Sequence, residues 1–167
     1  MGLSDKIAGA ILTIDLEALV ANYQRLRQRV APAELSAVVK ADAYGLGARH
    51  VVPALLAAGC RHFFVAHLEE ALAIRLLLPA TAALYVLNGV APGAEALCAD
   101  QGITPVLNSV SQVAGWRQLA ETRGRPLAAI LQIDSGMARL GLTAAETAAL
   151  AAEPDFRRAV PLCAIMS

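Results

Sequence analysis

Two segments carry residue types and spacings that could do chemistry. In Ala37-Val38-Val39-Lys40-Ala41-Asp42-Ala43-Tyr44-Gly45-Leu46-Gly47, a lysine closes an apolar run and a glycine-containing turn follows. A lysine amine held in low-dielectric surroundings at a strand end is freed as a nucleophile or base, which suits Schiff-base chemistry. Tyr44, among small residues, offers a hydroxyl to a ligand such as a phosphate. The same residues also fit a plainer reading, in which Lys40 pairs with Asp42 and the glycines only make a turn. In Ile130-Leu131-Gln132-Ile133-Asp134-Ser135-Gly136-Met137-Ala138-Arg139-Leu140-Gly141, an apolar run again enters a loop. The planar fork of Arg139 suits a carboxylate or phosphate. The alternative is an Arg139–Asp134 ion pair that merely fixes the loop.

Other candidates are weaker. His50 falls in a helical pattern, and His62 and His67 flank an apolar run; only His67 would sit at a strand's carboxyl end. Glu69 and Glu70 read as first-turn helix residues and Trp116 as core. No Ser-His-Asp order, metal-ligand set or phosphate loop is present. Lysine itself is scarce, with Lys6 and Lys40 the only two among 14 basic residues. A biased genome accounts for that and for the abundant alanine, but not for a lysine ending an apolar strand.

The elements that must position these groups alternate. Ala10–Ile14 reads as a strand, and Asp15 caps a helix with Leu16, Leu19, Val20, Tyr23, Leu26 and Val30 on one face. Strands follow near Leu35, Phe63, Ala83, Thr104, Leu127 and Val160, roughly 20 to 33 residues apart, with helical patterns between them. Gly59 ends one helix and Ser109 caps another. Apolar strands in this alternation predict a parallel sheet covered by helices, either doubly wound or a (β/α) barrel. No GxGxxG opens a helix after the first strand, which weakens the dinucleotide-binding version. An eight-stranded barrel usually takes about 250 residues. Six barrel-like strands ending just before Ser167 therefore predict α/β architecture as a partial (β/α)8 TIM-type barrel with parallel strands.

Composition narrows the partners. The chain has 167 residues, zero formal net charge, 57% hydrophobic and 17% charged residues. That much apolar surface excludes disorder, and the balanced charge argues against nucleic acid. No membrane partner is expected: the longest uncharged stretch, Leu76–Ala94, is broken by Pro79, Asn88, Gly89, Pro92 and Gly93. Met1–Lys6 shows no signal-peptide pattern, and Cys60, Cys98 and Cys163 read as reduced thiols, so a cytoplasmic protein is expected.

Val38–Gly47 resembles the cofactor-lysine motif of alanine racemases, and Ile133–Gly141 resembles their second signature. Phe63-Phe64-Val65-Ala66-His67-Leu68-Glu69-Glu70-Ala71 and Leu84-Tyr85-Val86-Leu87-Asn88-Gly89 are similar to family segments at the corresponding places. The resemblance implies a pyridoxal 5'-phosphate (PLP) isomerase interconverting L- and D-alanine, the latter feeding peptidoglycan synthesis. It implies that Lys40 holds PLP covalently and, once released, serves as base on one face of Cα. Tyr44 matches the tyrosine that bonds the cofactor phosphate, and Arg139 the arginine beside the substrate carboxylate. The full-length enzyme would be a homodimer acting on a small amino acid, with serine or a broader set as alternative substrates. A non-catalytic PLP-binding fragment is the alternative from another class.

Two departures from the pattern matter. Many members carry a carbamate-modified lysine seven residues before the arginine; here that position is Gln132, whose neutral amide accepts a hydrogen bond but adds no charge. Independence from lysine carbamylation is therefore expected. Residues 1–167 also match only the N-terminal part of the family barrel. The remaining strands and the C-terminal β domain, whose tyrosine supplies the opposite base across the dimer, have no counterpart here. Tyr23 and Tyr85 lie outside the motif that supplies it. The chain alone is expected to be inactive.

Overall fold

A computed structural model describes residues 9–167. Asp15 caps α1 (Leu16–Val30) by accepting the Ala18 N–H at 2.9 Å. The chain then enters β1 (Ala37–Val38) and, after a tight turn, α2 (Ala48–Ala57). The same strand-then-helix step gives β2 (His62–Val65), α3 (Leu68–Arg75), β3 (Ala83–Val86), α4 (Glu95–Asp100), β4 (Thr104–Leu107) and α5 (Val110–Thr122). It continues through β5 (Ala129–Gln132), α6 (Ala144–Ala151), α7 (Phe156–Ala159) and β6 (Leu162–Met166). Ser109 caps α5 as expected, through the Gln112 N–H.

Strand order separates the two architectures the alternation allowed. Each strand pairs in parallel with the next, in the order β1-β2-β3-β4-β5-β6. A doubly wound sheet reverses its order at a switch point, and this one never does. Successive crossovers of one hand keep the helices on one face, so the sheet curls into a half-barrel.

The core divides accordingly. The larger cluster joins outer strand residues, among them Phe63, Val65, Leu84, Leu107 and Leu131, to Val52, Ile74, Val113, Trp116 and Leu150 of the helices. Trp116 is 2% exposed and donates its indole N–H to Leu127 O at 3.2 Å, in keeping with its reading as core. The smaller cluster is built from strand residues and their immediate ends, with Tyr85, Val106 and Ile130 backed by Phe64, Leu87 and Met166. Two-residue alternation puts this set on the inner face and carries that face up to Lys40 and Gln132 at the strand ends.

Two expectations need correction. Residues 10–14 form no strand; Ile11 and Leu12 are 59% and 76% exposed. A short apolar run makes a strand only where its N–H and C=O groups find a ladder, and here they have none. The strand expected over Leu35–Lys40 is confined to Ala37–Val38, because Val39 already leaves the extended region and the backbone turns left-handed from Ala41.

Candidate active site

Lys40 follows Val39, whose N–H still bonds Phe64 O at 2.8 Å, so the amine is launched from the carboxyl end of the sheet. The next four residues are left-handed: Ala41, Asp42, Ala43 and Tyr44 have φ of 51°, 54°, 56° and 56°. A left-handed turn costs L-residues roughly 1–2 kcal/mol each, so something must hold it. Inside the turn, Ala43 N–H bonds Val39 O, Gly45 N–H bonds Ala41 O and Gly47 N–H bonds Asp42 O, each at 2.9 Å. Asp42 Oδ1 accepts the Ala48 N–H at 2.6 Å, tying the turn to the start of α2. The carboxylate set against Lys40 in the plainer reading is thus occupied by the backbone.

The outer hold comes from Glu70. Its Oε1 accepts the Ala41 N–H at 2.7 Å, and Oε2 accepts the N–H groups of Ala66 at 2.7 Å and His67 at 3.2 Å. In the sequence alone Glu70 is only a first-turn helix residue. The available signal was its place three residues after the cap position His67, the spacing of a capping box; nothing local pointed to Ala41.

Arg139 stands on a loop with a closed neck. Asp134 N–H bonds Leu142 O and Leu142 N–H bonds Gln132 O, both at 2.9 Å. Asp134 Oδ1 accepts the N–H groups of Gly136 and Ala138, also at 2.9 Å. Among the described residues Arg139 makes no ion pair, so the Arg139–Asp134 pairing is not formed; the loop's own N–H groups take the carboxylate.

A cavity of about 490 Å³ opens at the carboxyl ends of the strands, and Lys40, Asn88, Gln132, Arg139 and Met166 are among its lining residues. Lys40 and Arg139, about a hundred positions apart in the chain, therefore share one site with Gln132. Tyr44 is placed differently. Its ring centroid is 5.9 Å from Lys40 Nζ, but the residue is 63% exposed and lines a groove between α1, β1 and α2. His67 caps α3, with its Nε2 3.3 Å from Asn88 Nδ2, and faces a different cavity. The Tyr23 hydroxyl donates to Leu35 O at 3.3 Å, and that of Tyr85 lies 3.0 Å from His62 Nδ1; neither tyrosine lines the Lys40 cavity.

Two carboxylates are tuned by this geometry. Burial pushes the Glu70 carboxyl up, but the N–H groups of Ala41, Ala66 and His67 outweigh it and hold it below the usual range. The N–H groups of Ala138 and Gly136 do the same for Asp134. Depressed folded-state values mean that the stability they contribute is present above the ordinary carboxylate range and is lost as pH falls through the folded values. Amide exchange at Ala41 and Ala138, corrected for intrinsic rates, should therefore accelerate in acid before exchange at Trp116 does. Left-handed backbone makes a second prediction. Ala41→Gly removes the Cβ penalty at an exposed left-handed position and should stabilise the fold by about 0.5–1 kcal/mol, while Ala54→Gly inside α2 should cost about 1 kcal/mol. Urea midpoints of both variants check this.

The comparisons with known proteins agree with this frame. The model of the alanine racemase N-terminal domain matches residues 14–167. The chain belongs to the alanine racemase N-terminal domain family. An alanine racemase of Brucella ovis is 59% identical over 142 residues, covering 85% of this chain and 36% of that protein. The chain thus spans little more than a third of the length of such a relative. The crystal structure of alanine racemase from Bartonella henselae with covalently bound pyridoxal phosphate superposes with a TM-score of 0.86 at 46% identity, covering 89% of this chain and 42% of that one. The histidine racemase of Leuconostoc mesenteroides superposes at 0.76 with 25% identity, covering 87% and 39%. Family membership and half-barrel geometry therefore agree with the partial-barrel expectation. Among the described residues no helix is long and apolar enough to cross a membrane.

Proposed function

We propose that this chain is the lysine-bearing portion of a PLP-dependent alanine racemase, a cytoplasmic homodimer interconverting L- and D-alanine for peptidoglycan synthesis. The observation that carries the proposal is the meeting of Lys40 and Arg139 in one cavity at the carboxyl ends of parallel strands. The residues present fit the cofactor. A primary amine emerges from a rigid turn, a phenol lies beside it and a guanidinium shares the cavity. PLP, when bound, acidifies the substrate Cα–H by delocalising the electrons left behind.

The chain's own residues supply the rest. Lys40 Nζ would hold the cofactor and, once the substrate's amino group has displaced it, would take or return the proton on one face of Cα. Tyr44, whose ring stands 5.9 Å from Lys40 Nζ but outside the cavity, would turn its hydroxyl toward the cofactor phosphate. Arg139 orients the substrate carboxylate through its fork. Gln132, on the same cavity wall, would accept from Arg139 without adding charge, so bicarbonate should not rescue Gln132→Ala. A base for the opposite face is not assigned to any residue here, and the isolated chain should not racemise alanine. The likeness to a histidine racemase favours a second reading, a racemase of another amino acid built on the same half-barrel.

Borohydride reduction in the presence of PLP tests the central assignment. Label on Lys40 in excess of Lys6 is the expected result; label elsewhere, or none in a folded sample, removes it.

A further inference from the structure

We propose that Glu70 is a positioning residue for Lys40, its carboxylate clamping the backbone directly after the lysine to the end of β2. The inference rests on the assignment of Lys40 made above. Its ground is how the two oxygens are divided. Oε2 serves the strand end and the helix start, through Ala66 and His67. Oε1 leaves that element altogether and takes the N–H of Ala41, 29 residues earlier and the first residue of the left-handed run.

A helix cap does not need that second bond. Glu146 occupies the equivalent position in α6, also an eight-residue helix with a capping box, and both of its bonds stay local, to the N–H and hydroxyl of Thr143 at 2.8 Å. Glu70 therefore caps α3 with one oxygen and fixes the lysine turn with the other. An ionised carboxylate suits the task, since charge-assisted bonds are the stronger ones and one group serves donors from two elements at once. Without it the turn loses its tie to β2, while its internal bonds remain. Lys40 would then be free to swing away from the cavity it shares with Arg139.

Two lysines in the whole chain make the test clean, because Lys6 is an internal reference. PLP is reacted with the full chain under reducing conditions, and the ratio of Lys40 to Lys6 labelling rates is read by peptide mass spectrometry. Wild type, Glu70→Ala, Glu70→Gln and Glu146→Gln are compared, with amide exchange at Ala41 and Ala43 and thermal midpoints measured in parallel. Glu70→Ala should lower the ratio about tenfold and accelerate Ala41 exchange about as much, the effect of losing one charge-assisted bond. Glu146→Gln should lower the thermal midpoint comparably and leave both readouts unchanged. An unchanged ratio with unchanged Ala41 exchange in Glu70→Ala overturns the proposal, as does an equal fall in Glu146→Gln. Should Glu70→Ala not fold, Glu70→Gln, which keeps the size but loses the charge, carries the same comparison. A wild-type ratio near one overturns the Lys40 assignment instead; Ala41 exchange in the Glu70 variants then decides the clamp by itself.

Discussion

Lys40→Ala is expected to remove covalent PLP labelling from the turn and leave only the background level of Lys6. Lys40 is half-buried at the end of a two-residue strand, and its side chain carries no part of either hydrophobic cluster. The fold should therefore survive, with a urea midpoint close to wild type. On the proposed function, loss of both the attachment point and one base should cost on the order of 10³-fold or more in rate. Lys40→Arg should behave like the alanine variant despite keeping the charge, because a guanidinium is not deprotonated in proteins. Partial recovery of Lys40→Ala by a small primary amine would identify the missing function as the amine itself. Retention of specific labelling or of full activity in Lys40→Ala would defeat the assignment.

The second large effect concerns a residue with no chemistry of its own. Gly141 lies in the neck of the Arg139 loop at φ +109°, where an added Cβ would stand 2.6 Å from Asp134 N and 2.8 Å from Ile133 C. Both neighbours are backbone, so no rotamer change relieves the contact. Gly141→Ala must open the neck and break the bonds joining Asp134 to Leu142 and Leu142 to Gln132. The expected cost is about 3 kcal/mol, combining the left-handed penalty with two lost backbone bonds. It should appear as a lower urea midpoint at unchanged slope and as faster exchange from Ile133 to Leu142. Gly102→Ala is the control. Its φ is +62°, but an added Cβ meets nothing within 4 Å, so it should cost only about 1 kcal/mol. Equal losses in the two variants would show that conformation, and not the close approach, decides at Gly141.

On the proposed function, the rate of the enzyme carrying Gly141→Ala should fall by more than its loss of stability accounts for, because the loop it opens carries Arg139. Measuring the rate well below the variant's unfolding transition separates the two effects.

What was legible in the residues is what short-range rules govern. Capping side chains at Asp15 and Ser109, the glycine after α2 and the apolar runs of β2 to β6 depend on neighbours a few positions away. The same rules set Lys40 and Arg139 at the ends of strands, hence on the functional rim of any parallel α/β sheet. They were misleading at residues 10–14, where a short apolar run has no ladder to join, and at Ala41–Tyr44. Alanine is the strongest helix former, and nothing in its propensity predicts four left-handed residues.

Tertiary structure alone decided the remainder. Strand order selected the half-barrel over the doubly wound sheet, because spacing along the chain is the same in both. The hand of the lysine turn is sustained by Glu70 from 29 residues away, a bond that exists only once β1 and β2 lie side by side. Sequence determined which residues could do chemistry and that each lies beyond the carboxyl end of a strand; their gathering into one cavity, and the left-handed turn after the lysine, required the packed sheet.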